Sequence, residues 1–407
     1  MALTETKLID RINRRIHNAK GKLGGDTEMR NILNDALRFV RLDIDLPGAK
    51  RVGSSFLIFD DVFEYPLPSD IDYDKTIQIL PEEESFKNQI WERVALKYFH
   101  TLQNPISPEY AENNWILNSS MDRTVEENRN RFAIDFEDSV PYMLLRSNIG
   151  DQGSAQIAST TTPTDDGTWT AGDDATNVRT DTQTFKTNSS CVAFDSAGVA
   201  TDVSISNSTF TAVDLSSYED LGVLFVWVFL PSTLPTTVTL YWGSSDAAYW
   251  SKAETTRQNG LSFKAGWNLL SFNWAEATET GAPDDENIDY LKLTLTNSAA
   301  TALTEYRIDK IYARLGREII LKHYSKFLVK STTGTRKEEF TASSDTTILE
   351  GQEVDLIIDK GAEIASGNLR ELKELGNHQN NYNYKKQLLE SKFPSETDIE
   401  SMTYYRM

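Results

Sequence analysis

One cysteine, Cys191, stands in 407 residues, so no disulfide can close within the chain and no multi-cysteine zinc site is available. Histidine is almost as scarce: His17, His100, His323 and His378, none with a second histidine three or four residues away. That excludes an HExxH-type metal frame. A G-x-S-x-G elbow, a Walker A loop and a G-x-G-x-x-G fingerprint are also missing. Long apolar runs are absent. The longest, Leu221–Leu230 (LGVLFVWVFL), is about half of what a bilayer span requires. The amino-terminal stretch MALTETKLIDRINRR lacks the apolar core of a secretory signal, and no membrane association is expected. Bases are in deficit, 41 Lys and Arg against 61 Asp and Glu, for a net charge of −20. Phosphate recognition needs clustered cations, so a generic nucleic-acid or anionic-membrane binder is unexpected.

What is present divides the chain. Residues 151–316 are rich in Thr, Ser, Val, Phe and Trp with frequent turn residues, and carry 21 acids against 9 bases. Strands are predicted at 190–194, 199–206, 223–229, 236–242, 249–255, 267–272, 291–296 and 307–313, with 150–177 as a linker and a first strand. About eight strands at such spacing suit a two-sheet sandwich or jelly roll. Before this segment, helical periodicity runs over 4–19 and 27–42, separated by GKLGG, as in a helical hairpin. Strands follow at 56–65 and 75–80, mixed or helical structure at 85–102, and strands at 115–117 and 131–146. After it come a strand over 318–329, a turn at Gly334, a strand or loop at 340–348, a helix over 351–365, an amphipathic stretch over 369–375 and a last helix over 382–393. The expected fold class is α+β. A discontinuous helical/β domain (1–150 and 317–407) carries an inserted all-β sandwich (151–316).

Candidate sites are few. The insert holds six of the eight tryptophans. Trp242, Tyr249, Trp250 and Trp274 could stack sugars as an aromatic platform; the competing reading packs the tryptophans between the sheets. Trp227, flanked by Val226 and Val228, is expected to lie between the sheets. Acidic doublets (Asp60-Asp61, Asp165-Asp166, Asp173-Asp174 and Asp284-Asp285-Glu286) read as solvated loops. Among them Asp165, Asp166, Asp173 and Asp174 sit where an oxygen-ligand calcium site could form. Residues 1–51 carry 11 bases against 7 acids. Arg11, Arg14, Arg15, Lys20 and Lys22 form either a solvated helix face or a contact with an acidic partner or passing DNA.

Two resemblances follow. The stretches AVDLSSYEDLGVLFVWVFLPS (212–232), GLSFKAGWNLLSFNW (260–274) and NIDYLKLTLT with EYRIDKIYAR (287–314) resemble a carbohydrate-binding-module-type jelly roll, akin to galactose-binding and laminin-G-like sandwiches. That resemblance implies a possible glycan ligand and places Asp309 where such modules can hold a structural Ca²⁺. The outer pieces, with ILNDALRFVR (32–41), VFEYPLPSDIDY (62–73) and REIILKHYSKFLVKSTTGTRKEEF with EGQEVDLIIDKGAEIA (317–365), resemble head–tail connector (adaptor or neck) proteins of tailed bacteriophages. This implies a non-enzymatic structural subunit at the head–tail interface of a virion, assembled in the host cytoplasm. Its partners would be copies of itself in a ring, a dodecamer by the resemblance, then portal protein, a tail or stopper protein, and passing double-stranded DNA. The alternative is a glycan- or receptor-binding protein acting through the sandwich. A glycoside hydrolase or lyase accessory protein is the third reading.

Overall fold

The computed structural model describes residues 3–17, 19–60, 62–75, 77–81, 91–96, 130–146, 152–187, 189–219 and 221–393. Asp61, most of the 85–102 segment, His100, the 115–117 strand and the tail from 395 on lie outside the described residues. The chain forms two compact units: Met1–Ser55 with Pro68–Leu80 and Ile320–Met407, and Phe56–Leu67 with Pro81–Ile319. The second takes in the sandwich together with 56–67 and the 130–146 hairpin, segments that the sequence pattern places in the outer domain.

Among the described residues, the sandwich of the second unit is built on twelve strands: β1 (Ser154–Ala158), β2 (Thr170–Asp173), β3 (Ala175–Asp181), β4 (Cys191–Ala197), β5 (Asp202–Asn207), β6 (Gly222–Leu230), β7 (Pro235–Ser245), β8 (Ala248–Glu254), β9 (Gly266–Asn273), β10 (Thr278–Thr280), β11 (Tyr290–Asn297) and β12 (Ala302–Leu315). They form two six-stranded sheets. One runs β9-β6-β12-β4-β3, with β1 also paired to β12; the other runs β10-β8-β7-β11-β5-β2. All pairings within them are antiparallel. The jelly-roll-like sandwich expected for the insert is therefore present. The eight predicted strands match β4 to β9, β11 and β12. The sequence marks β2, β3 and β10 less well, because their Thr, Asp and Gly content reads as turns, and β1 (SAQIA) has a single large apolar residue.

Alternation builds the core. In β6, Leu224, Val226, Val228 and Leu230 point between the sheets and are at most 1% exposed. They meet Leu270 and Phe272 of β9 and Leu240 and Trp242 of β7 in one apolar cluster. Each such side chain contributes about 1.5–3 kcal/mol on burial. The intervening residues Phe225, Trp227 and Phe229 face the other way.

A second layer covers part of that outer face. Asn130–Glu137 and Val140–Arg146 form a hairpin whose order with neighbouring strands is Glu64–Pro66, Val140–Arg146, Asn130–Glu137, Trp91–Arg93. Its two turn residues, Asp138 and Ser139, both have positive φ (50° and 67°). This is the type I′ geometry whose twist matches an antiparallel pair. Phe59 packs edge to face on Phe225 (4.9 Å), and the Asp60 carbonyl accepts a hydrogen bond from Arg314 Nη1 (2.6 Å).

The first unit is mostly helical: α1 (Glu5–Arg15), α2 (Ala19–Leu23), α3 (Asp26–Asp43), α4 (Gln352–Asn368) and α5 (Leu372–Lys392). Thr4 caps α1 by accepting from the Lys7 amide (3.4 Å). Leu8, Ile12 and Ile16 share a core with Ile32, Leu33 and Leu37 of α3 and Leu356, Ile357 and Ala362 of α4. Gly361 permits the close approach of α4, since a Cβ there would come within 2.6 Å of Ile12 Cδ1. The two predicted C-terminal helical stretches are one helix, α5. The 340–348 stretch, expected as strand or loop, is loop apart from the two-residue strand Thr346–Thr347. These helices are observed as helices; their likeness to a connector rests on the order of motifs.

Candidate functional site

The expected sugar platform is not a surface. Trp242, Trp250 and Trp274 are 0, 6 and 2% exposed and belong to the sandwich core. Trp274 meets Trp242 edge to face at 5.5 Å and Trp250 at 5.0 Å. A sugar needs an open ring face, and these three rings face each other instead. Tyr249, one residue before Trp250, points to the opposite side of its strand and lies between Tyr241 (5.3 Å) and Tyr290 (6.3 Å).

The parity that buries Trp242 exposes Trp227. Because Val226 and Val228 face the core, the residue between them must face outward, contrary to the expectation that Trp227 fills the inter-sheet space. Trp227 and Trp267 are both half-buried on the outer face of the β9-β6-β12 sheet. Trp227 pairs across strands with Leu269, and Trp267 with Phe229, so the two indoles are diagonal neighbours, roughly 7–8 Å apart at the backbone. Trp267 rests edge to face on Phe229 (5.5 Å), and Arg307 lies over the Phe229 ring (4.5 Å).

These rings floor a groove of about 220 Å³, small beside typical ligand clefts of roughly 300–1,000 Å³. Phe63 and Glu64 form one wall, Arg257, Gln258, Asn259 and Lys264 another, and Lys186 lies over the floor. The loop wall is tied in place. Arg257 is 7% exposed; its Nε donates to the Ser262 carbonyl (2.9 Å) and its Nη2 to Glu137 Oε1 at the hairpin tip (2.7 Å). Lys264 Nζ reaches Glu137 Oε2 (3.3 Å). Burial opposes ionisation of Glu137, but the Arg257 hydrogen bond and the charges of Arg257 and Lys264 outweigh it and hold this carboxyl below its usual range. Asn259 Nδ2 donates to Glu64 Oε2 (2.6 Å) while its Oδ1 accepts from the Leu261 amide (3.1 Å). Gly260 sits at φ +77° in the tight turn where its amide bonds back to the Arg257 carbonyl.

Asp309 does not present a cation site. It is wholly buried, and protein donors occupy both carboxylate oxygens. Oδ2 accepts from the amides of Lys186 and Thr187 (2.7 Å each); Oδ1 accepts from Thr187 Oγ1 (2.7 Å) and Thr160 Oγ1 (3.3 Å). Asp309 also stands directly across from Trp227 on the neighbouring strand. Its role here is to fasten the 182–187 loop, which carries Lys186 to the groove. The carboxylates of Asp165, Asp166, Asp173 and Asp174 are likewise engaged by separate local donors. Among the described residues no group of three or more His, Cys, Asp or Glu is arranged to hold a metal ion. The Cys191 thiol is buried; burial, with Asp309 and Asp181 nearby, pushes its pKa up to about 12.

The basic residues of the first unit are partly occupied. Arg15 pairs with buried Asp359, Lys20 with Asp26 (2.5 Å) and Lys22 with Glu371 (2.8 Å). Arg11 and Arg14 lie exposed on α1. His323 and His378 are buried, and His17 is exposed. Among the described residues no helix is long and apolar enough to cross a membrane.

The groove residues Lys186, Arg257, Asn259 and Trp267 were not singled out from sequence. Strand parity signals Trp267 once β6 and β9 are known to pair; Lys186, Arg257 and Asn259 sit on loops, where the sequence carries no such signal.

No protein-family model matches the chain, and no curated protein matches it. Solved structures do. A family 30 carbohydrate-binding module of a cellulosomal cellulase of Clostridium thermocellum aligns at 12% identity over 40% of this chain and 98% of its own, with a TM-score of 0.30. A xylan-binding domain from carbohydrate-binding-module family 22 aligns at 16% identity over 40% of this chain and 96% of its own (TM-score 0.25). A protein from a complex xyloglucan utilization locus in Bacteroides uniformis aligns at 13% identity over 46% and 61% (TM-score 0.26). Likenesses of this strength do not bear on what the chain binds.

Proposed function

We propose that the chain binds a saccharide in the groove of its β-sandwich. One observation carries this reading. Of the six tryptophans in the sandwich, Trp169, Trp242, Trp250 and Trp274 are buried in its core, and the two left open, Trp227 and Trp267, both line the groove. Half-open indoles beside anchored polar groups (Gln258, Asn259, Glu64) combine an apolar stacking surface with hydroxyl-directed hydrogen bonds. The role is binding. Hydrolysis of a glycosidic bond normally calls on two opposed carboxyls, and Glu64 is the one carboxylate lining the groove among the described residues.

A glycan array probed with the intact chain tests this. Retention of at least one oligosaccharide class, abolished by Trp267→Ala and weakened by Trp227→Ala, is expected. An array without signal, or a signal indifferent to both substitutions, would remove the proposal. The head–tail connector assignment, with its ring, portal, tail and DNA partners and its virion location, rests on the motif resemblance alone. Native mass spectrometry of the purified chain would return a closed ring if that assignment holds.

A further inference from the structure

We infer that the groove selects an acidic saccharide, one whose pyranose carries a carboxylate or sulfate, and that Lys186 reads that charge; this deepens the saccharide-binding reading and rests on it.

The argument starts from where Lys186 is and what it touches. Its Nζ lies 4.1 Å from the centroid of the Trp227 ring, on the face a sugar would occupy. Its side chain is exposed, and no carboxylate pairs with it among the described residues. Arg257 and Lys264, the other two cations of the groove, share Glu137. Lys186 thus carries the one ammonium of the lining whose only recorded partner is an aromatic face. Its backbone is fixed. The Lys186 and Thr187 amides both bond to Asp309 Oδ2 at 2.7 Å, and Asp309 faces Trp227 across the strand pair.

A neutral sugar stacking on Trp227 must displace the ammonium and return it to water, losing the cation–π contact without replacement. An acidic sugar displaces it too, but the ammonium then meets the acid group at the groove edge in a charge-assisted hydrogen bond. The lining holds three cations and Glu64, with Glu137 and Asp309 directly behind it, so the charge left over at the floor is the Lys186 ammonium, in a chain whose net charge is −20. Nonspecific attraction of polyanions by such a chain is disfavoured, so a preference for them would report the groove.

Affinity electrophoresis of the full chain through gels holding hydroxyethylcellulose, carboxymethylcellulose or cellulose sulfate compares one backbone in neutral, carboxylated and sulfated form. Homogalacturonan and its methyl ester make the same comparison on a second backbone. We expect retardation by the acidic form to exceed that by the neutral form at least tenfold in apparent affinity at low salt, and to fall with added salt. Retardation by only one of the two cellulose acids names the acid group. Lys186→Met should abolish the preference and leave neutral binding equal or stronger; Lys186→Arg should restore it. Trp267→Ala should abolish all retardation. Equal binding of neutral and acidic forms, or a preference that survives Lys186→Met, overturns the charge-reading role while leaving the saccharide groove intact. No retardation by any of the five overturns the acid preference, and a silent glycan array beside it overturns the saccharide groove as well.

Discussion

Arg257 Nη2 donates to Glu137 Oε1 across 2.7 Å, and this bond joins the loop that leads into β9 to the tip of the 130–146 hairpin. The two residues are 120 apart in sequence, yet the groove wall depends on their meeting.

Removing the acceptor leaves a buried guanidinium with the Ser262 carbonyl as its remaining recorded partner. Glu137→Ala should cost about 1–3 kcal/mol in urea unfolding. The pH dependence has a definite sign. The folded pKa of Glu137 lies below its unfolded value, so its contribution is present above the unfolded pKa, about 4.3, and is lost as pH falls through the folded value. The stability gap between wild type and Glu137→Ala should therefore narrow in acid. A gap constant from pH 7 to pH 3 would show that ionised Glu137 stabilises no more than its protonated form.

Trp242 and Trp267 should separate stability from binding. Trp242→Ala opens a cavity in the sandwich core and should destabilise by about 3–5 kcal/mol. Trp267→Ala, on the open face, should cost far less and yet lose saccharide. Parallel chemical denaturation and glycan retention on both variants check this, and the reverse pattern would invert the assignment of core and groove.

Asp309→Ala should destabilise by on the order of 3 kcal/mol, because it strands the donors of Thr160, Lys186 and Thr187 around a buried site. A chelator should leave Tm unchanged, since those donors already fill the carboxylate. A fall in Tm with EDTA, reversed by calcium, would reinstate a cation at Asp309.

In the first unit, buried Asp359 receives both Arg15 and Lys385 (2.5 Å to Lys385). Asp359→Ala leaves two cations facing each other and should cost about 3–5 kcal/mol by thermal or urea unfolding. A change below 1 kcal/mol would mean the cluster is solvated. Arg11 and Arg14, exposed on α1, should tolerate alanine within about 0.5 kcal/mol.

Local pattern alone determined a good deal of this protein. Leu8, Ile12 and Ile16 at helical spacing announce α1, and the unbroken run at 222–230 announces a central strand, because burial of one helix face or of a strand's two faces leaves its mark in consecutive residues. The sandwich was legible for the same reason. Tertiary structure decided which tryptophans are open. Val226 and Val228 beside Trp227 suggested a core position, but a pleated strand sends neighbours to opposite sides, and only the β6–β9–β12 pairing says which side is solvent. The groove wall was equally hidden. Arg257 meets Glu137, Asn259 meets Glu64, and Asp309 holds Lys186, contacts between residues 120, 195 and 123 apart that no sequence window contains.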